Sequence, residues 1–119
     1  MLAGHGMRMS DARRQAYAEA YARPGALKAG FDLYRSFPED EQDNAASRHV
    51  TVSKPILYLR GADEPVHIEA YLAGFREHGL HNIEAKIIER CGHFSAEEQP
   101  EKVALAIKEF IGNHPVIFP

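Results

Sequence analysis

An imidazole on a short loop at the end of a strand can act as a general base, because it titrates near neutral pH. Residues 83–94, IEAKIIERCGHF, place His93 in that position. Ile83, Ala85 and Ile87 alternate with Glu84 and Lys86 as a half-buried strand should, and Cys91-Gly92 breaks the run just before the histidine. Open α/β sheets carry their chemistry at the carboxyl ends of their strands. The bland alternative for His93 is a structural or solvent-facing side chain. Other polar groupings are weaker. His78 and His81 flank a Gly-Leu turn near Glu77, which is poor support for zinc, so no metal is expected and no cofactor is implied. Cys91, the single cysteine, reads as a small apolar packing residue beside the turn.

The elements that must position His93 follow from periodicity. Residues 1–9 show none and read as an entry loop. Ser10 or Asp11 can cap a helix running to about Ala22, with Tyr17 and Tyr21 on one face. Pro24 suits the first turn of a second helix, in which Leu27, Phe31 and Tyr34 recur at helical spacing up to about Phe37. Residues 38–48, PEDEQDNAASR, are acidic and without apolar periodicity, and read as a linker or solvated loop. The texture changes at Pro55. Ile56, Leu57, Tyr58 and Leu59 form a continuous apolar run of the kind buried in parallel sheets, ended by Gly61. A helix over 66–78 turns Ile68, Leu72 and Phe75 inward and is closed by Gly79. The strand at 83–88 follows. A last helix, with Pro100 in its first turn, lines up Val103, Ile107, Phe110 and Ile111 and stops at Gly112. Residues 114–119 form a short tail.

The expected division is therefore 1–48, helical, and 49–119, strand-helix-strand-helix. The second part predicts two parallel strands joined by a right-handed crossover. Two parallel strands do not make a stable sheet, and residues 1–48 supply no further strand. Either another chain completes the sheet, or the sequence is the carboxyl-terminal piece of a larger fold.

Composition narrows the function classes. With 119 residues and 45% hydrophobic content the chain is the size of one globular domain. A net charge of -3, with scattered basic residues, gives no footprint for nucleic acid. The apolar runs fall far short of the roughly 18 residues a bilayer-crossing helix needs, and the first ten residues lack a signal-peptide core. No membrane partner is expected, and a cytoplasmic location is the default.

Three stretches together resemble the carboxyl-terminal part of the α/β-hydrolase fold, in the branch of epoxide hydrolases and haloalkane or haloacetate dehalogenases. ERCGHFSAEEQPEKV at 89–103 looks like that family's histidine loop and final helix, KPILYLRGADEP at 54–65 like its penultimate strand and acid turn, and YARPGALKAGFDLYRSFP at 21–38 like the end of its helical cap. The likeness spans residues 10–111 in order. It implies a partial α/β-hydrolase fold, with a cap remnant and linker over 1–48 and the last two parallel strands with their helices over 49–119. By resemblance His93 is the histidine that activates water against a covalent intermediate. The acid falls on Glu64 when counted without a gap from Pro55 and on Asp63 with one deletion, and either carboxylate could hold the imidazole in its working tautomer. Tyr34, in FDLYRSF, falls where epoxide hydrolases carry a cap tyrosine, whose phenol would stabilise the oxygen of an opening epoxide; its helical spacing with Phe31 and Leu27 suits simple packing equally well.

The departure from the family lies in the nucleophile. A nucleophile elbow needs G-x-[S/D]-x-G or something close to it on a sharp strand-to-helix turn, and no such pattern occurs in the sequence. Gly4-His5-Gly6 is not one. The chain alone is thus expected to lack family catalysis. Two functions are open: a hydrolase segment that brings His93 and an acid to the hydrolysis of a small epoxide, halide or ester, or a non-catalytic remnant whose free sheet edges and apolar faces drive homo-oligomerisation.

Overall fold

The computed structural model describes residues 9–115, so most of the expected entry loop and tail lies outside the described residues. The chain divides into two units, Arg8–Arg48 and a second one from His49 onward.

The first unit is a helical pair, α1 (Asp11–Ala22) and α2 (Ala26–Ala46). Ser10 caps α1 by accepting from the Arg13 N–H at 3.3 Å, and Gly25, with φ of 80°, turns the chain into α2. The loop expected over 38–48 is instead helix as far as Ala46, with Pro38 inside it. Proline there forfeits one backbone bond. The Ser36 hydroxyl spans that position, donating to the Leu33 carbonyl at 2.9 Å and contacting the Asp40 carboxylate at 3.1 Å, and the Glu, Asp, Gln and Ala that follow tolerate helix well enough to continue it. Neither helix buries a residue. Exposed pairs such as Lys28–Asp32 and Arg35–Asp32 contribute only about 0.5 kcal/mol each, while Tyr21, Leu27, Phe31, Leu33, Tyr34 and Phe37 stay more than half exposed.

The second unit runs β1 (Ile56–Gly61), α3 (Ile68–Glu77), β2 (Ile83–Ile88), α4 (Ser95–Glu98) and α5 (Pro100–Asn113). The strands pair in parallel, from Ile56 opposite Ile83 to Gly61 opposite Ile88. Side chains alternate across the strand, so β1 serves two layers. Tyr58 turns to α3, its ring 5.9 Å from that of Tyr71 and 5.1 Å from that of Phe75. Leu59 turns to the opposite layer and packs with Val103 against Ile88, Cys91 and Ala106. On β2, Glu84 and Lys86 are met by α5 and the residue after it: Lys86 pairs with Glu109, and His114 lies 3.6 Å from Glu84.

The inner face of α5 differs from its expected composition. Val103, Ala106 and Phe110 face inward, whereas Ile107 and Ile111 remain exposed. With the sheet two strands wide among the described residues, small Ala106 seats the helix on Ile88 and Cys91 and the wider apolar stripe reaches past the sheet. At the far end of the sheet, Gly79 takes φ of 87° at a point where a Cβ would lie 2.1 Å from the Val50 carbonyl oxygen. The short helix α4, absent from the sequence reading, directly follows the histidine loop.

Candidate active site

The register ends β1 and β2 side by side, so the turn after Gly61 and the loop after Ile88 leave the sheet together. Backbone bonds join them: Ala62 N–H donates to the Ile88 carbonyl at 3.0 Å and Asp63 N–H to the Cys91 carbonyl at 2.9 Å. The approach is close enough to require glycine. A Cβ on Gly61 would lie 2.1 Å from the Gly92 oxygen and 2.4 Å from the Cys91 oxygen.

This junction brings His93 to Glu64, with Nδ1 and Oε1 3.1 Å apart. A carboxylate can only accept, so the proton of this bond sits on Nδ1 and Nε2 is left as the basic nitrogen of a neutral ring. The histidine side chain is 55% exposed and that of Glu64 18%. The imidazole is therefore open to reactants while its carboxylate is shielded. Phe94 packs edge-on against the imidazole, at 5.4 Å between ring centres.

The other oxygen of Glu64 faces Arg60, which the sequence reading did not single out. Its Nη2 lies 3.3 Å from Glu64 Oε2, with the side chain only 5% exposed. The distance makes an ion pair, yet Nη2 has no partner in hydrogen-bonding alignment. Nη1 donates to the Tyr58 hydroxyl at 3.1 Å, and the guanidinium carbon stands 4.3 Å over the Tyr71 ring. Burial works against the Arg60 charge; the bonds to Tyr58 and Tyr71 and the Glu64 carboxylate outweigh it and hold the guanidinium above its ordinary range. Period-two spacing does place Tyr58 and Arg60 on one face of β1, but arginine is so seldom buried that this spacing alone does not mark it.

The loop is held from its other side by the start of the last helices. The Glu98 carboxylate accepts from Gly92 N–H at 2.8 Å and from Phe94 N–H at 3.1 Å. Gln99 donates to the Arg90 carbonyl and Lys102 to the Glu89 carbonyl, each at 2.9 Å. An acidic pair at 97–98 just ahead of Pro100 is the sequence signal for such a helix-start clamp.

Asp63 is tied to the histidine loop through its backbone, one residue before the carboxylate that bonds the imidazole. Tyr34 belongs to the other unit, on α2, its ring 5.2 Å from that of Phe37 and its surface 69% exposed. Cys91 is wholly buried beside Ile88 and Ala106. Burial pushes its thiol above the ordinary value, and the charges of Glu98 and Asp63 add to that. His78 donates from Nδ1 to the Gly74 carbonyl at 2.8 Å and so finishes α3. Among the described residues no group of three His, Cys, Asp or Glu side chains is arranged to hold a metal, and no helix is long and apolar enough to cross a membrane.

No protein-family model matches the chain. Solved structures do. A Cfl2 protein from Burkholderia cenocepacia superposes with a TM-score of 0.74 at 29% identity, over 86% of this chain and 34% of that protein. The epoxide hydrolase CorEH gives 0.74 at 22% identity, over 89% of this chain and 36% of its own. The chain has a partial α/β-hydrolase fold. The serine hydrolase CarC, of carbazole degradation, shares this α/β-hydrolase unit with a TM-score of 0.66 at 24% identity, over 94% of this chain and 43% of that enzyme. In sequence, a soluble epoxide hydrolase of Corynebacterium sp. strain C12 is 24% identical over 87 residues, 73% of this chain and 29% of the enzyme. The α/β-hydrolase chain described here thus spans about a third of the length of the proteins it matches.

Proposed function

We propose that this chain carries the histidine and acid of an epoxide hydrolase-like site, corresponding to the carboxyl-terminal part of the fold. The observation that carries the reading is the 3.1 Å bond between His93 Nδ1 and Glu64 Oε1 at the ends of adjacent parallel strands. In the reaction, an Asp outside these residues attacks a carbon of a small epoxide or halide, breaking its C–O bond to leave an oxygen that takes up a proton or its C–halogen bond to release halide, or a Ser there attacks the carbonyl of an ester and releases the alcohol; each route leaves a covalent ester on the enzyme. His93 Nε2 then takes a proton from water as the water attacks that ester, and Glu64 holds the Nδ1 proton and stabilises the imidazolium. Likeness to the Corynebacterium and CorEH epoxide hydrolases favours epoxides among the three substrate classes.

The test is hydrolysis of a fluorogenic epoxide, a haloalkane and an aryl ester by the natural gene product that contains these residues, at whatever length the cell makes it. Turnover that falls about a thousandfold in His93→Ala supports the reading; turnover indifferent to that substitution overturns it.

A second reading, a self-associating module without catalysis, is favoured by the two-stranded sheet, in which, among the described residues, β1 and β2 pair only with each other. Exposed Ile87, Ile107 and Ile111 add uncovered apolar surface. Light scattering on the purified 119-residue chain tests it: a folded dimer without turnover favours self-association, and a stable monomer excludes it.

A further inference from the structure

We infer that Glu98 is a positioning residue for His93, a carboxylate clamp whose two oxygens hold the backbone on either side of the histidine. The inference rests on the reading of His93 as the base of a hydrolytic site.

The geometry is specific to a carboxylate. Glu98 Oε2 accepts from the N–H of Gly92 and Oε1 from the N–H of Phe94, the residues before and after His93. Both are donors, so the clamp needs two acceptors. A glutamine offers one oxygen and turns its amide hydrogens toward the second N–H, and an aspartate is one methylene too short to span the same pair from α4. Charge strengthens both bonds.

The histidine has little else to fix its direction. Its side chain is 55% exposed, with a hydrogen bond to Glu64 and an edge contact to Phe94. A free loop would let the imidazole swing away from Glu64. The loop also contains strain, since Arg90 sits at φ of 58°, in the left-handed region that a non-glycine residue enters at a cost. Such a conformation persists where its surroundings over-determine it, and Gln99 and Lys102 do so by bonding the Arg90 and Glu89 carbonyls. Those bonds secure the first half of the loop. Glu98 secures the half that carries His93.

The experiment is NMR on the 15N-labelled 119-residue chain as wild type, Glu98→Ala and Glu98→Gln, with exchange of the β1 and β2 amides as the control for folding. In Glu98→Ala, exchange at Gly92 and Phe94 should quicken by roughly tenfold or more, and the downfield His93 Nδ1–H resonance should broaden or vanish. Glu98→Gln, which keeps one acceptor, should retain part of both signals; it also decides the matter if the alanine variant does not fold. In the active gene product the glutamine variant should lower kcat about tenfold to a hundredfold with KM unchanged, since Glu98 acts through His93 and not on substrate. A His93 Nδ1–H resonance of wild-type shift and width in a folded Glu98 variant would overturn the clamp. The NMR outcome involves no substrate. If the clamp is present and no hydrolysis is found, the hydrolase reading alone fails; if hydrolysis depends on His93 and the resonance ignores Glu98, the clamp alone fails.

Discussion

Arg60 and His93 share the Glu64 carboxylate: Oε2 faces the Arg60 guanidinium at 3.3 Å while Oε1 is left for the His93 imidazole at 3.1 Å. The arginine is the more buried partner, so its charge is compensated by Glu64 and by its seat on Tyr71 and Tyr58. We expect Arg60→Met, which keeps the packing stem and drops the charge, to cost about 1–3 kcal/mol, less than the figure for a fully buried pair because Glu64 retains some water. Arg60→Ala should cost more, having lost the ring contact as well. Urea unfolding of both, and of Arg60→Met with Glu64→Gln, checks this: the double variant should recover part of the loss, because the orphaned charge is then gone.

The two carboxylates after β1 should differ sharply in effect. Glu64→Gln retains the shape but can turn its amide toward Nδ1 and so stabilise the wrong tautomer, and kcat should fall roughly 10²–10⁴-fold. Asp63→Asn keeps the backbone N–H that bonds the Cys91 carbonyl and leaves the Glu64–His93 contact in place, and should stay within about threefold of wild type. Parallel kinetics on the natural gene product decide it; an Asp63→Asn loss as deep as that of Glu64→Gln would move the acid to Asp63.

Gly61 sets the distance between the acid turn and the histidine loop. Gly61→Ala puts a methyl carbon 2.1 Å from the Gly92 oxygen, a backbone atom with no cheap escape. We expect a loss of about 1–3 kcal/mol, with melting temperature as the readout, and separation of Glu64 from His93 seen as a weakened Nδ1–H resonance. Gly74 is the contrast, since nothing lies within 4 Å of a Cβ there, and Gly74→Ala should leave both measurements unharmed or improve stability.

The features legible in the sequence were those set by local pattern. The alternation of 83–88 and the Cys-Gly break placed His93 at a strand end, and the apolar run from Ile56 with the helix after it required the parallel pair that is seen. What was illegible depends on partners distant in the chain or on competition between local rules. The contact between Glu64 and His93, 29 positions apart, appears only when the two strand ends are brought together. Arg60 looks like a surface arginine until Tyr71 is brought beneath it. The acidic stretch 38–48 lacks apolar periodicity and reads as a loop, but its residues favour helix well enough to carry α2 through Pro38 to Ala46. Ile107 and Ile111 fit a buried stripe, yet a sheet of two strands is too narrow to cover them.

Cys91 supplies the pH dependence. Its thiol is raised above the ordinary value chiefly by burial, then by the charges of Glu98 and Asp63, with Lys102 opposing. In the unfolded chain the thiol ionises near its usual pKa of about 8.5, earlier than in the fold. A group whose folded pKa is raised favours the fold fully below the unfolded value, and that contribution is lost as pH climbs through the folded one. Stability attributable to Cys91 should therefore be constant to about pH 8.5 and decline above it. Cys91→Ala has no thiol to titrate and loses about 1 kcal/mol of packing at every pH. Lysines and tyrosines titrate in both proteins and cancel in the difference. The gap in urea midpoint between wild type and Cys91→Ala should then be flat from pH 6 to about 8.5 and narrow toward pH 10. A gap that holds constant across that range would mean that water reaches the thiol in the native protein, and iodoacetamide labelling at pH 8 would then proceed at the rate of an exposed thiol.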